Sequence, residues 1–287
     1  MAEILPTANA CDCHVHIIGP KVRFPLATPR SYTPVDAPLP DLEAMMARLG
    51  LERAVIVQPS IYGSDNACTL DALDRLGPKA RAVAVLGPRT PLSMLDDLDQ
   101  RGVRGLRVNI VSHGTKSTAE IRDELRAAAD LCARNNWHVQ AFVSASALET
   151  IAPLVRELPV PVVFDHFAMV PPREADGPAA DTVCRLLEEG RAWVKLSGSY
   201  RLADNPFDPA LDRLAARYAA ANPNHLVWAS DWPHTPEHTG ISGGDERELP
   251  YRDMDTRGLL GLFDRWVGEA HRERILVTNP ARLYGFT

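Results

Sequence analysis

The chain has 287 residues, of which 45% are hydrophobic and 24% charged, and its formal net charge is −6. That length and apolar content can bury a sizeable core, while the acidic balance argues against a nucleic-acid surface, which carries a basic excess. No apolar run approaches the roughly 20 residues that cross a bilayer, and Met1 to Asn9 lacks the basic-then-apolar order of a signal peptide, so a cytoplasmic protein acting on a small molecule is expected, with neither nucleic acid nor membrane as partner.

Short β-branched runs alternate with amphipathic stretches along the chain, the pattern of a parallel sheet with helical crossovers. The first run, Cys11 to Ile17, holds His14 and His16, and strand alternation turns both imidazoles to one side. A proline-rich loop, Pro20 to Pro40, contains Tyr32 and leads to a helix from Leu42 to Leu49. The second strand, Arg53 to Gln58, precedes Ser60 and Tyr62; the third is Ala82 to Leu86, followed by a turn at Gly87 to Pro91. After a helix from Leu92 to Arg101, the fourth strand, Val103 to Val108, carries Arg107 and runs out toward His113. A helix from Ala119 to Asn135 precedes the fifth strand, His138 to Val143, which contains Gln140. The sixth strand, Val160 to Phe164, follows a helix from Ala147 to Glu157 and ends at Asp165 and His166. The seventh, Ala192 to Leu196, follows a helix from Thr182 to Glu189 and leads to Arg201. The eighth, Leu226 to Ser230, follows a helix from Pro209 to Ala221 and ends at Asp231, with His234 opening a long loop from Pro233 to Arg252. A helix from Asp255 to Val267 and a short one opened by Asn279-Pro280 complete the chain.

Eight strand–helix units with no Gly/Ser linker or repeat predict a (β/α)8 barrel forming a single domain over residues 1–287, with an open doubly wound sheet as the alternative. Cys11, Cys13, Cys68, Cys132 and Cys184 are odd in number and lack metal or redox spacing, so they read as reduced; alternation sets Cys11 and Cys13 together, opposite Asp12.

In a barrel the carboxyl ends of all strands open on one face, which gathers His14, His16, Ser60, Tyr62, Arg107, Gln140, His166, Arg201 and Asp231. His14, His16 and Asp231, with or without His166, offer nitrogen and oxygen ligands suited to one Zn²⁺ with a position open for water. Arg107 and Arg201 present planar forks to a carboxylate, unless neighbouring acids take them.

His-x-His on the first strand, Asp165-His166-Phe167, Val194 to Arg201 and Ala229-Ser230-Asp231-Trp232-Pro233-His234 together resemble the amidohydrolase superfamily, and within it the lactonase branch of 2-pyrone-4,6-dicarboxylate hydrolase and related sugar-acid lactonases. The resemblance implies that Asp231 takes a proton from the attacking water, with a turn-capping role as its structural alternative. It also implies that His14, His16 and His166 polarise a lactone carbonyl without a metal, since a lactone is an activated ester. Neutral Gln140 cannot supply an anionic bridge between two metals, which argues against a binuclear site; the resemblance implies no cofactor, with one Zn²⁺ as the alternative. The pyrone hydrolases carry arginines at about the positions of His113 and Met169, so this pocket should suit one carboxylate, or a sugar-acid lactone whose hydroxyls meet Tyr32, Tyr62, Gln140 and His234. The expected function is a hydrolase opening a small anionic lactone from aromatic- or sugar-acid catabolism. A mononuclear zinc decarboxylase or C–C hydrolase and a non-catalytic ligand-binding barrel are its rivals.

Overall fold

The computed structural model describes residues 7–87, 90–111, 117–236 and 247–287. Eight parallel strands form one sheet in strict chain order: β1 (Cys11–Val15), β2 (Arg53–Val57), β3 (Ala80–Ala84), β4 (Val103–Asn109), β5 (His138–Phe142), β6 (Val162–Phe164), β7 (Ala192–Leu196) and β8 (Leu226–Trp228). The ring closes just beyond β8, where Val15 bridges Trp232 and Asp231 N donates to His14 O at 3.0 Å. The expected barrel is the observed one. Most strand residues are buried because helices cover the outside and side chains fill the inside, which is why the strands read as continuous apolar runs.

The helices between strands are α1 (Leu39–Leu49), α2 (Ala67–Leu76), α3 (Ser93–Arg101), α4 (Thr118–Ala133), α5 (Leu148–Glu157), α6 (Pro178–Glu188) and α7 (Ala210–Ala221), followed by α8 (Thr256–Val267) and α9 (Asn279–Tyr284). Local chemistry sets several ends. Gly50 (φ 69) stops α1 in the left-handed conformation that glycine adopts without strain, and Ser117 with Glu120 forms a reciprocal capping box at the start of α4. Sequence periodicity misses α2, because two of its four buried positions are Thr69 and Ala72, which carry little apolar signal.

Two buried layers result. The larger lies between strands and helices. The smaller includes Cys11, Cys13, Val55, Val57, Val83, Val163, Trp193 and Val227, with Tyr284 and Phe286 from the C-terminal segment; Trp193 shares a strand face with Lys195, which places this layer inside the barrel beneath the site.

One irregularity aims the first two histidines. Asp12 pairs with Ala54 and Val15 with Ile56, so Cys13 and His14 together oppose Val55. Strict alternation would set the cysteines opposite the histidines. The bulge brings His14 and His16 to the same interior that holds Cys11 and Cys13, a re-aiming that bulges near sites commonly perform. Above the mouth, a parallel pairing of Thr33–Pro34 with Glu248–Leu249 ties the two long loops together, and the Tyr251 hydroxyl donates to Val35 O.

Candidate active site

The carboxyl ends of β1, β6 and β8 bring three imidazoles and one carboxylate to a common point. His14 Nε2 lies 3.2 Å from His16 Nε2, and Asp231 Oδ1 lies 3.8 Å from the former and 3.7 Å from the latter. His166 Nε2 stands 3.8 Å from Asp231 Oδ2. Backbone strain supports this placement: Asp231 has φ 63, and His166 to Met169 form four consecutive residues with φ between 50 and 56, a left-handed turn that non-glycine residues adopt only when the surroundings over-determine it.

The two oxygens of Asp231 differ. Oδ2 accepts from the Tyr200 hydroxyl at 2.6 Å and from Arg201 Nε at 2.7 Å. Oδ1, fully buried, accepts no hydrogen bond among the described residues. Burial pushes the Asp231 carboxyl upward, but the Arg201 guanidinium beside it outweighs burial and holds the group well below the usual carboxylate range. Burial, reinforced by Arg107, pulls His16 down to about 3, and burial pulls His166 down to about 4. These rings are therefore neutral near pH 7. His16 Nδ1 lies 2.7 Å from Val57 O; a carbonyl only accepts, so the hydrogen sits on Nδ1 and Nε2 carries a lone pair. His16 thus departs from the expectation that all three imidazoles donate to a carbonyl oxygen. His166 fits it, because Ser197 Oγ, 2.9 Å from Nδ1, can donate there and leave hydrogen on Nε2.

A second buried cluster lies alongside. Lys195 on β7 is fully buried, with Nζ 2.7 Å from Gln140 Oε1, 3.3 Å from His14 Nδ1 and 3.5 Å from Asp165 Oδ1. Asp165 Oδ2 accepts from Gln140 Nε2 at 3.1 Å and lies 3.6 Å from Arg107 Nη2. Arg107 Nη1 donates to Gln58 O at 3.1 Å, while its Nε is buried with no hydrogen-bond partner among the described residues. Asp12 adds a clasp between β1 and β8, its Oδ1 accepting from Ser230 N at 3.0 Å and His14 N at 3.2 Å.

These groups border a partly open pocket lined by His16, Tyr32, Ser60, Arg107, His166, Arg201 and Asp231 together with Pro59, Asn109, Phe142 and Thr235. Three other expected substrate contacts are not in the lining. Gln140 is held between Lys195 and Asp165, the Tyr62 hydroxyl accepts from Gly19 N at 3.1 Å, and His234 Nε2 pairs with Thr256 Oγ1 at 2.9 Å. His113 lies outside the described residues. Arg201 reaches the cavity but is committed to Asp231 and, through Nη2, to Thr235 Oγ1 at 2.7 Å. Sequence reasoning gave no role to Lys195, Asp165 or Tyr200. The signal for Lys195 was available, since a lysine within the otherwise apolar Ala192–Leu196 strand needs a buried partner.

The donor set fits one divalent cation: His14 Nε2, His16 Nε2 and Asp231 Oδ1 face one another, and the carboxylate oxygen is a buried acceptor without a hydrogen-bond partner among the described residues. His14, Asp165 and His166 form a second group of possible ligands, but the Lys195 ammonium already stands against both His14 Nδ1 and Asp165 Oδ1.

A family model described as Amidohydrolase matches residues 11–286. The chain is 34% identical over 285 residues to a 4-sulfomuconolactone hydrolase of Rhizobium radiobacter, covering 96% of this chain and 90% of the relative. It is 32% identical over 295 residues to a 2-pyrone-4,6-dicarboxylate hydrolase of Comamonas testosteroni, with the same coverages. Among solved structures, a putative 2-pyrone-4,6-dicarboxylic acid hydrolase from Pseudomonas putida superposes with a TM-score of 0.80 at 26% identity, covering 98% of each chain.

Proposed function

The chain belongs to the amidohydrolase family, and from that premise we propose that it hydrolyses a small carboxylated lactone, with Asp231 as general base. The observation that carries this reading is the asymmetry of Asp231: one oxygen is held by Tyr200 and Arg201, while the other accepts no hydrogen bond among the described residues and stands beside three neutral imidazoles. The relatives named as lactone hydrolases support the reaction class.

In the proposed sequence, water attacks the lactone carbonyl carbon and its proton passes to Asp231 Oδ1. The carbonyl oxygen becomes an oxyanion facing His166 Nε2–H. Collapse of the tetrahedral intermediate breaks the ring carbon–oxygen bond, and Asp231 returns the proton to the departing ring oxygen. The product is a hydroxy acid. Arg107, which lines the pocket, holds one carboxylate of the substrate. Arg201 holds the base rather than the substrate, a change from its expected role.

We take the reaction to be metal-independent. The site already balances Arg107, Arg201 and Lys195 against Asp12, Asp165 and Asp231, so a divalent ion would add net positive charge to a poorly screened interior. A bound cation would be held by His14, His16 and Asp231 and would supply Lewis-acid polarisation of the carbonyl. The zinc-dependent decarboxylase or C–C hydrolase remains the second reading because those three donors fit an ion.

A panel of carboxylated lactones, followed by proton release with and without chelator and paired with metal analysis of the purified protein, tests both readings. Ring opening unaffected by chelator is expected. Stoichiometric zinc with chelator-sensitive turnover would favour the second, and saturable binding without ring opening would favour a binding barrel. No helix among the described residues is long and apolar enough to cross a membrane. Five free buried cysteines suit a reducing compartment, supporting a cytoplasmic assignment.

A further inference from the structure

Each of the two close imidazoles has one nitrogen facing the other ring and one facing elsewhere, so their hydrogens can be followed along the cluster. His16 Nδ1 donates to Val57 O, which leaves His16 Nε2 as an acceptor. His14 Nε2 lies 3.2 Å from that acceptor. Two facing lone pairs would repel at this distance, so in the metal-free site the hydrogen between the rings belongs to His14 Nε2. A neutral His14 then has a lone pair on Nδ1, and Lys195 Nζ, a donor only, lies 3.3 Å from it. Asp165 Oδ1, an acceptor 3.2 Å from the same nitrogen, competes with Lys195 for it.

We propose that Lys195 is a positioning residue that fixes His14 as its Nε2–H tautomer and thereby closes the His14–His16 pair into a hydrogen bond that disfavours cation binding. The hydrogens run in one direction, from Lys195 Nζ to His14 Nδ1, from His14 Nε2 to His16 Nε2, and from His16 Nδ1 to Val57 O. Asp165 stands on the other side of the choice. Without Lys195, His14 Nδ1–H would donate to Asp165, and both Nε2 lone pairs would face a common point, the arrangement in which a carboxylate orients a metal-bound histidine. The inference rests on the metal-independent form of the proposed function and specifies which side chain enforces it.

The test uses the full chain with ¹⁵N-labelled imidazoles, in which long-range proton–nitrogen correlations read each ring's tautomer directly. Signals are assigned through His14→Gln and His16→Gln, and zinc affinity is measured by competition with a chromophoric chelator. In the parent protein His14 should carry hydrogen on Nε2 and His16 on Nδ1. In Lys195→Met, His14 should switch to Nδ1–H and zinc affinity should rise at least tenfold, while Asp165→Asn should keep the parent tautomers. Nδ1–H on His14 in the parent would overturn the proposal even if Lys195→Met failed to fold. Unchanged tautomer and zinc affinity in a folded Lys195→Met would also overturn it. The lactone panel is read separately, so a protein with these tautomers but no lactone turnover would refute the proposed function and leave the role of Lys195 standing.

Discussion

Replacing Arg201 with methionine separates two roles for that guanidinium. Its Nε meets Asp231 Oδ2 at 2.7 Å, and the two side chains are 12% and 0% exposed. Removing one member of a buried ion pair leaves an uncompensated charge and costs about 3–5 kcal/mol; the lower end applies here because Tyr200 still donates to the same oxygen. At about 2.1 cal/mol/K per residue, unfolding 287 residues has an entropy near 0.6 kcal/mol/K, so a loss of about 3 kcal/mol lowers the melting temperature by about 5 °C. Because the contact is with the base and not the substrate, kcat should fall about tenfold or more while KM changes by no more than about twofold. Thermal melts with initial rates of proton release on the best lactone would measure both. An unchanged melting temperature with a large rise in KM at constant kcat would refute the reasoning and return Arg201 to the role of substrate anchor.

Asp231→Asn preserves shape and removes the proton acceptor, so kcat should drop by about a hundred- to ten-thousand-fold with ligand binding retained; calorimetric binding of an unreacted lactone beside the rate assay checks this, and retention of most activity would exclude Asp231 as base. Burial draws His16 and His138 down to about 3 and His166 and His234 to about 4, whereas the unfolded chain protonates these rings near 6.5. The unfolded state therefore binds more protons as pH falls below about 6.5, and stability should decline toward pH 4 by up to about 1.4 kcal/mol per pH unit for each such ring; urea melts at a series of pH values would detect this, and a flat profile from pH 7 to about 5 would contradict it. Gly198 has φ 60, and a Cβ there would lie 2.7 Å from His166 Nδ1. Gly198→Ala should therefore cost at least about 1–2 kcal/mol in backbone strain and lower kcat by displacing His166. A variant with the parent's melting temperature and rate would show that His166 does not need its present position.

Much of the barrel was legible because strand and helix burial repeats locally, at periods the residues themselves carry. Cys11 to Ile17, Val103 to Val108 and Leu226 to Ser230 announce buried strands by composition, and His14, His16, His166 and Asp231 sit at strand ends that the topology must bring to one face. Where composition was weak, as at Thr69 and Ala72 of α2, local reading failed. The pairings across the barrel were not legible at all. That Arg201 is held by Asp231, that Gln140 is locked between Lys195 and Asp165, and that Tyr62 and His234 turn to Gly19 and Thr256 depend on closure, on the bulge in β1 and on the left-handed turn at His166. Periodicity is a property of neighbours in the chain, whereas a hydrogen bond between residues 181 positions apart, such as Lys195 with His14, is decided only when the ring of strands has closed and burial leaves each polar atom few partners to choose from.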